Sequence, residues 1–533
     1  MRSYLPIPAL AVMFVSTLLV SGCGQPAEPG EGRQDTVVLA ESIEYESLNP
    51  LDQMFGISTK FYDGLYAVDT GGDIVPALAT AAPVSNQHLT EWTVTLRDDV
   101  RFSDGTDFES SDVVATYQAI LSDTMASPLK SRLSMVKQVA ADDARTVRFS
   151  LDFPYAAFPS TLTVGLAPSE RLGKSVLESE LNRSPVGTGP YLLEEWRDGE
   201  SMTLVANEDY WGGAPAVRRL VIAFVADENA RAQRLRAGDF HGAQLSPLNA
   251  RLLDDADGLE LFSNPSADFR AISLPQDAPG MNSLAVRRAL NYATNREAMV
   301  DGILSGYGEP AFSPFTRVQG ESFNEAAIFE YDVAKAEALL EADGWTMGHD
   351  GVRARDGVRL ELPVMYFAED VLRRDLAQAF ASDMSKVGIS VHLQAATRKQ
   401  AVEGMNSKLF VLGGGDAPYD PDTQAYSVLS SDFAAYDPND AYSNPSNYSN
   451  PEVDRLLEAA RQSADPSERS ALYRRIQALL IDDPAMVFLV ALEHTYVARG
   501  LDGYDGVEHV VEPHEHGVAW GPWWNIEAWK PTR

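Results

Sequence analysis

Apolar residues recur in two rhythms along most of this chain, and the alternation of those rhythms is what most restricts its fold. Residues 36–40 (TVVLA) are a short β-branched run and read as a strand. Trp92, Val94 and Leu96 alternate with polar residues, Val100 and Phe102 resume the alternation, and Asp104-Gly105 closes it, which predicts a strand pair with a turn. Ser110-Ser111 then precedes Val113, Val114, Tyr117, Ile120 and Leu121 at helical spacing, a capped amphipathic helix. Val147, Phe149 and Leu151 return to period two, and 220–225 (LVIAFV) is a continuous apolar run suited to a strand buried on both faces. Farther on, 285–304 carries apolar residues at helical period. Asp332 caps a helix over 334–342 that stops at Gly344. Leu360, Leu362 and Val364 alternate as a strand, and 372–387 is again helical. Asn450-Pro451 and Asp465-Pro466 each open a helix, with Glu452 and Asp454 in the first turn where the helix dipole favours acids. The apolar run 486–492 reads as a final strand. Strands and helices alternate throughout without a solenoid period, so the class is α/β with several lobes.

The length of 533 residues corresponds to two to four domains or one large multi-lobed unit. With 45% hydrophobic and 23% charged residues the chain is globular. Its net charge of −34 and pI near 4.5 argue against a nucleic-acid partner, because a phosphate backbone demands a basic face. There is one cysteine, so no internal disulfide exists. That cysteine follows residues 1–22, in which Arg2 supplies a positive start, 5–20 an apolar stretch, and Ser21-Gly22 the small residues before Cys23. The arrangement resembles a bacterial lipobox, which implies acylation of Cys23 and a lipid anchor holding the protein outside the cytoplasm; the alternative is an ordinary signal peptide. Residues 24–35 read as a tether, and no later run reaches the 18 apolar residues of a membrane span.

Motifs of the common catalytic sites do not occur. There is no GxSxG, no HExxH, no GxxxxGK[ST] and no GxGxxG after a strand. Only the abundance of acids leaves room for a hydrolase with a carboxylate pair, and nothing in the sequence places two of them face to face.

Residues 92–116 read WTVTLRDDVRFSDGTDFESSDVVAT, and this block resembles the signature of the extracellular solute-binding proteins of family 5, the peptide/nickel class of ABC importers. Further blocks agree in order: Ser47-Leu48-Asn49-Pro50, PVGTGPY at 185–191, NEDYW at 207–211, VRRALNYATN at 286–295, 331–345, and NPEVDRLL at 450–457. The resemblance implies a two-lobed, periplasmic-binding-protein-like type II clamp with an extra subdomain on the first lobe. Residues 36–65, 188–272 and 487–533 would form lobe I, 66–187 the extra subdomain, and 273–486 lobe II. The crossings between lobes fall near 269–275 and 484–490. It further implies a monomeric, non-enzymatic protein without a cofactor, delivering its solute to an ABC permease and ATPase.

The resemblance also implies a ligand segment at 412–422, LGGGDAPYDPD. Peptide-binding members place an aspartate after a strand that pairs with the ligand backbone, and Asp416 matches it as acceptor of a peptide α-ammonium group. Gly413, Gly414 and Gly415 precede it, and glycine permits close backbone approach. Met54 and Tyr419 match lining positions of the nickel-chelate branch. That branch's arginine is missing from 161–168, its histidine from 427–450, and Gly415 stands where it has a tryptophan. Histidines cluster near the C-terminus, at His494, His509, His514 and His516, among Trp520, Trp523, Trp524 and Trp529. Trp523 is expected to line the cleft. His509, His514 and His516 are the candidate ligands if the solute is a metal chelate instead of a peptide.

Overall fold

Thr36–Glu41 is strand β1, one residue longer than its β-branched run, because Glu41 still pairs with Phe224. The computed structural model describes residues 35–52, 56–254, 256, 258–276, 278–415, 420–435, 441–514 and 516–532. β1 lies inside a mixed sheet, parallel to Arg219–Phe224 on one side and to β2 (Gly242–Gln244) on the other. Two long antiparallel strands carry this sheet across the molecule: β3 (Leu259–Ser273) and β6 (Met486–Arg499). Between them in the chain come β4 (Glu361–Phe367), helix α1 (Val371–Lys386), β5 (Leu409–Gly414), α2 (Pro421–Leu429) and α3 (Pro451–Gln462). The sheet runs Ser390–Ala396, β4, β5, β3, β6, β2, β1, Arg219–Phe224, Ser201–Ala206, Tyr191–Arg197, with Gly308–Pro310 added on β6.

The register between β3 and β6 breaks in the middle. Pro265 faces Glu493 and Phe269 faces Ala491, so Ser266, Ala267 and Asp268 oppose a single residue. Pro265 has no N–H to give to the ladder. The displaced backbone finds other partners: Ala267 N donates to Glu512 O (2.8 Å), and Ser266 Oγ donates to Leu492 O (2.6 Å). The break divides the sheet into two halves with different cores. On the β1 side Val37, Leu39, Leu204, Leu220, Tyr496, Trp523 and Trp529 pack together. On the β5 side apolar residues cover both faces, Leu290, Leu362, Phe380 and Val411 on one and Phe269, Phe410, Tyr426, Tyr473 and Phe488 on the other. A strand so enclosed reads as an unbroken apolar run, which is why 409–412 and 486–492 show no alternation. A separate four-stranded sheet, ordered Val84–Ser85, Glu91–Thr95, Thr146–Leu151, Val136–Asp143, packs on helix Ser110–Leu121 through Trp92, Tyr117, Phe149 and Phe158. This is the extra unit on the first lobe.

Four local expectations change. The helical stretch 285–304 is two helices, Leu284–Ala293 and Arg296–Gly302, because Asn295 leaves helical geometry and caps the second through its bond from Ala298 N. Arg219–Phe224 buries Leu220 and Ile222 but leaves their neighbours partly open, so it is covered on one face only. The last strand continues to Arg499, well past Leu492, because β3 and β2 pair along its second half. Val100 and Phe102 flank an isolated bridge, Arg101 to Asp107, and form no strand pair. Among the described residues no helix is long and apolar enough to cross a membrane.

Candidate functional site

β5 begins as Leu-Phe-Val-Leu, fully buried, and ends in glycines. On one side it is paired with β3 to its end, Gly413 opposite Arg270 and Gly414 opposite Phe269. On the other side β4 pairs only with Leu409 and Phe410, so β5 outruns its neighbour and the edge from Val411 onward has no strand partner among the described residues. The glycines are sterically required. A Cβ on Gly415, at φ 120°, would lie 2.2 Å from Ala267 O, which is backbone and cannot swing away. A Cβ on Gly414 would strike the Phe269 ring at 2.5 Å. At Gly413 the space is taken by three polar tips: a Cβ there would be 2.6 Å from His514 Cε1, 2.7 Å from Arg270 Nη1 and 3.0 Å from Arg373 Nη2.

The floor beside this edge is a buried charge network seated on the register break. Asp268, with no exposed surface, accepts from His514 Nδ1 (2.7 Å), from His494 Nε2 (3.2 Å) and from Arg270 Nη1. Glu512, equally buried, accepts from His494 Nδ1 (2.7 Å), Tyr496 OH (2.6 Å), Gly521 N (3.0 Å) and Asn264 Nδ2 (2.5 Å). His494 therefore donates from both ring nitrogens and is an imidazolium. Burial opposes that charge, but the two carboxylates outweigh it and raise His494 to about 9. Burial likewise opposes the Asp268 carboxylate, and Arg270, His514 and His494 together hold it well below the usual carboxylate range. The C-terminal segment is stitched to both halves of the sheet here: Glu512 N donates to Pro265 O (2.9 Å) and His514 N to Gly415 O (2.9 Å).

Beyond the ligand segment the chain is pinned by two arginines. Arg469 grips Asp420, the cap of α2, through two bonds (2.7 and 3.0 Å). Arg461 Nε, on α3, meets both oxygens of the fully buried Asp422 (3.0 and 3.1 Å) while its guanidinium lies on the Tyr426 ring. Arg461 O accepts from Ala156 N (2.8 Å), a contact between α3 and the turn that follows the extra unit's strand Thr146–Leu151.

Of the residues singled out from sequence, Gly413, Gly414 and Gly415 line the open edge. Cys23, Met54, Asp416 and Tyr419 lie outside the described residues. Trp523 differs from expectation: it has no exposed surface, stacks edge-on with Tyr496 at 5.4 Å, and sits under Gly242, so it supports the first lobe's wall from behind. The three C-terminal histidines are parted. His509 Nδ1 engages Asn264 Oδ1 (3.0 Å), His514 engages Asp268, and His516 lies against the His494 ring with centroids 5.0 Å apart. Among the described residues no group of three or more His, Cys, Asp or Glu is placed to hold a metal ion. Sequence reasoning missed Asp268, Arg270 and Arg373. The first two stand two apart beside the buried apolar residues Phe269, Ala271 and Ile272, and that charged pair was the available signal.

The model of the bacterial extracellular solute-binding proteins, family 5, matches residues 73–436. The chain belongs to family 5. This family 5 protein is 37% identical over 515 residues to "Protein XP55" of Streptomyces lividans, covering 95% of this chain and 93% of that one. It is 29% identical over 507 residues to the glutathione-binding protein GsiB of Escherichia coli, covering 90% and 92%. Among solved structures it resembles NikZ of Campylobacter jejuni in complex with Ni(L-His), with TM-score 0.81 and 27% identity over 93% of this chain and 99% of that one. The family 5 chain is thus a two-lobed, extracytoplasmic substrate-binding protein of an ABC importer and not an enzyme.

Proposed function

We propose that the solute is a short peptide, held along the open edge of β5 between the lobes. Asp416 accepts its α-ammonium group, and Met54 and Tyr419 pack on its side chains. The observation that carries this reading is the edge itself: β5 outruns β4 for the residues Val411 to Gly414, and its glycines leave the backbone bare where a ligand backbone would add as another strand. Main-chain pairing gives affinity with little side-chain selection, so several sequences bind. A relative named for glutathione, itself a small peptide with free carboxylates, is consistent with a solute of this size. Acylated Cys23 anchors the monomeric protein at the membrane beside its permease and ATPase.

Calorimetry with free and N-acetylated tripeptides tests the ammonium site. Free peptides bind and acetylated ones bind far more weakly; Asp416→Asn costs roughly 2–5 kcal/mol of affinity, as loss of one partner of a buried charge pair does. Equal affinity for both forms removes Asp416 from the site. For the anchor, Cys23→Ser releases the protein from the membrane fraction into the soluble one.

A further inference from the structure

The contact between the extra unit and α3 joins two sets of groups, each already fixed within its own part of the molecule. α2 and α3 pack on the β5 half of the sheet. There Arg461 Nε meets both Asp422 oxygens, the Arg461 guanidinium lies on the Tyr426 ring, and Arg469 holds Asp420. On the side of the extra unit, Tyr155 N donates to Leu89 O (3.1 Å) and Tyr155 O accepts from Phe158 N (3.3 Å), so the turn keeps its shape without help from α3. Across the gap, Tyr155 donates its hydroxyl hydrogen to the Asp422 carboxylate, and its ring lies 5.4 Å from the Arg461 guanidinium. Phe153 lies 5.9 Å from the same guanidinium and packs edge-on against Tyr155. Ala156 N donates to Arg461 O, a carbonyl in the last turn of α3 that the helix itself cannot satisfy. Burial opposes the charge of Asp422, and Arg461 and Tyr155 offset that cost. Parting the two sides returns water to Asp422 and leaves it Arg461, so separation strands no charge and the contact can open and re-form.

We propose that the turn Phe153–Ala156 is a latch, by which the extra unit of the first lobe fastens onto the Arg461–Asp422 pair of the second lobe when the clamp shuts. The strands β3 and β6 tie the lobes through the sheet; the latch is a second, non-covalent tie, made of the Tyr155 hydroxyl, the Ala156 N–H and two aromatic rings against one guanidinium. Both halves are preformed, so fastening costs little ordering of side chains. The latch must part before a solute can leave, so its strength enters the dissociation rate. It also biases the empty clamp toward the closed arrangement. None of its groups belongs to the β5 edge, and the device does not depend on which solute the cleft takes.

The test compares the wild-type chain with Tyr155→Phe, which removes one hydroxyl, and with Phe153→Ala, at a position 38% exposed. Amide hydrogen exchange is read at Ala156, whose acceptor is on the other lobe, and at the strand Thr146–Leu151, whose acceptors are within the extra unit. Solution scattering gives the radius of gyration of the solute-free chain, and stopped flow gives the dissociation rate of free tripeptides. In the wild type Ala156 exchanges faster than the strand, because the latch opens without unfolding the unit. Each substitution speeds exchange at Ala156 about 3- to 10-fold, the worth of one such contact, while leaving the strand unchanged. It also raises the radius of the solute-free chain and speeds tripeptide dissociation by a similar factor. Exchange at Ala156 locked to the rate of the strand in all three chains shows a permanent joint and overturns the latch. Faster exchange at Ala156 with an unchanged radius overturns it as well, since the contact then frays without moving the lobes. Should Tyr155→Phe fail to fold, Phe153→Ala decides alone. If no tripeptide binds, the peptide reading falls, and exchange and radius still decide the latch.

Discussion

His494 joins the two most buried carboxylates of the site, and its charge makes folding depend on pH. Its folded pKa of about 9 lies above the ordinary value near 6.5, so its contribution is fully present below pH 6.5 and is lost as pH rises through 9. A shift of that size corresponds to roughly 3 kcal/mol. Other perturbed groups of the first lobe act elsewhere on the scale. Asp63, raised to about 6 by burial, is still partly protonated at pH 6.5 and completes its titration by about pH 8, adding a small fall of the same sign, and His516, held low by its crowded surroundings and the His494 cation, does its titrating below 6.5. Denaturant unfolding between pH 6.5 and 9.5 should therefore show stability falling with pH, and His494→Gln should flatten the slope while lowering the plateau. A wild-type profile flat across that interval refutes the imidazolium. The glycines permit a second comparison at this scale. Gly415→Ala places a methyl against a carbonyl in a left-handed conformation, so it should cost about 2 kcal/mol or more of stability. Gly413→Ala meets side-chain tips and no backbone, so it should cost less stability than Gly415→Ala while displacing the His514 ring and the two guanidinium tips and losing solute binding, a contrast that unfolding curves and calorimetry resolve.

Elements whose beginnings carry their own chemistry were legible in the sequence. Asn450 and Asp465 cap helices with proline in the first turn, Asp332 accepts from Lys335 N, and Gly344 closes that helix at φ 85°. Local hydrogen bonds decide such ends, so local residues reveal them. The charge network was not legible, because it joins β3 to β6 and a C-terminal loop more than 200 residues further along the chain, and only pairing of the strands brings Asp268 to His494. The same holds for Arg461 on α3, which binds Asp422 on α2 and is met by Tyr155 and Ala156 of the extra unit. Asp422 is pushed up by burial even against the pull of Arg461 and a hydrogen bond with Tyr155, so its charge depends on those partners. Arg461→Ala should cost about 3–5 kcal/mol by stranding a buried carboxylate. Asp422→Asn in the same chain should return part of that loss, and a double-mutant cycle in urea measures the coupling. Additive losses would show that the pair is not energetically joined.

At the scale of the molecule the long strands β3 and β6 are, among the described residues, the only sheet elements that run through both halves, and their register fails at Ser266–Asp268. Sequence reasoning sets the crossings between lobes near 269–275 and 484–490; the register break lies beside them, at Ser266–Asp268 opposite Leu492, and no apolar pattern marks where pairing lapses. A ladder missing bonds at one level bends there more readily than elsewhere, so this level is where we propose the hinge. The lobe-spanning segments converge at that level: Gly415 receives His514 N, and Ala267 N reaches Glu512 O. A solute lying on the β5 edge touches the second lobe through β5 and the first through the C-terminal segment, so it binds the closed arrangement better than the open one and shifts the population toward it. The radius of gyration from solution scattering should therefore fall on adding a peptide that calorimetry shows to bind, and Tm should rise with its concentration. Replacing Pro265 by valine restores a donor to the ladder and should stiffen the hinge, reducing the fall in radius and slowing association while leaving the groups at Gly413 untouched. If the radius is unchanged on binding, a cross-link between the lobes distinguishes the causes. A link that blocks solute entry places the site between lobes already closed, whereas continued binding places it on one lobe and removes closure from the mechanism.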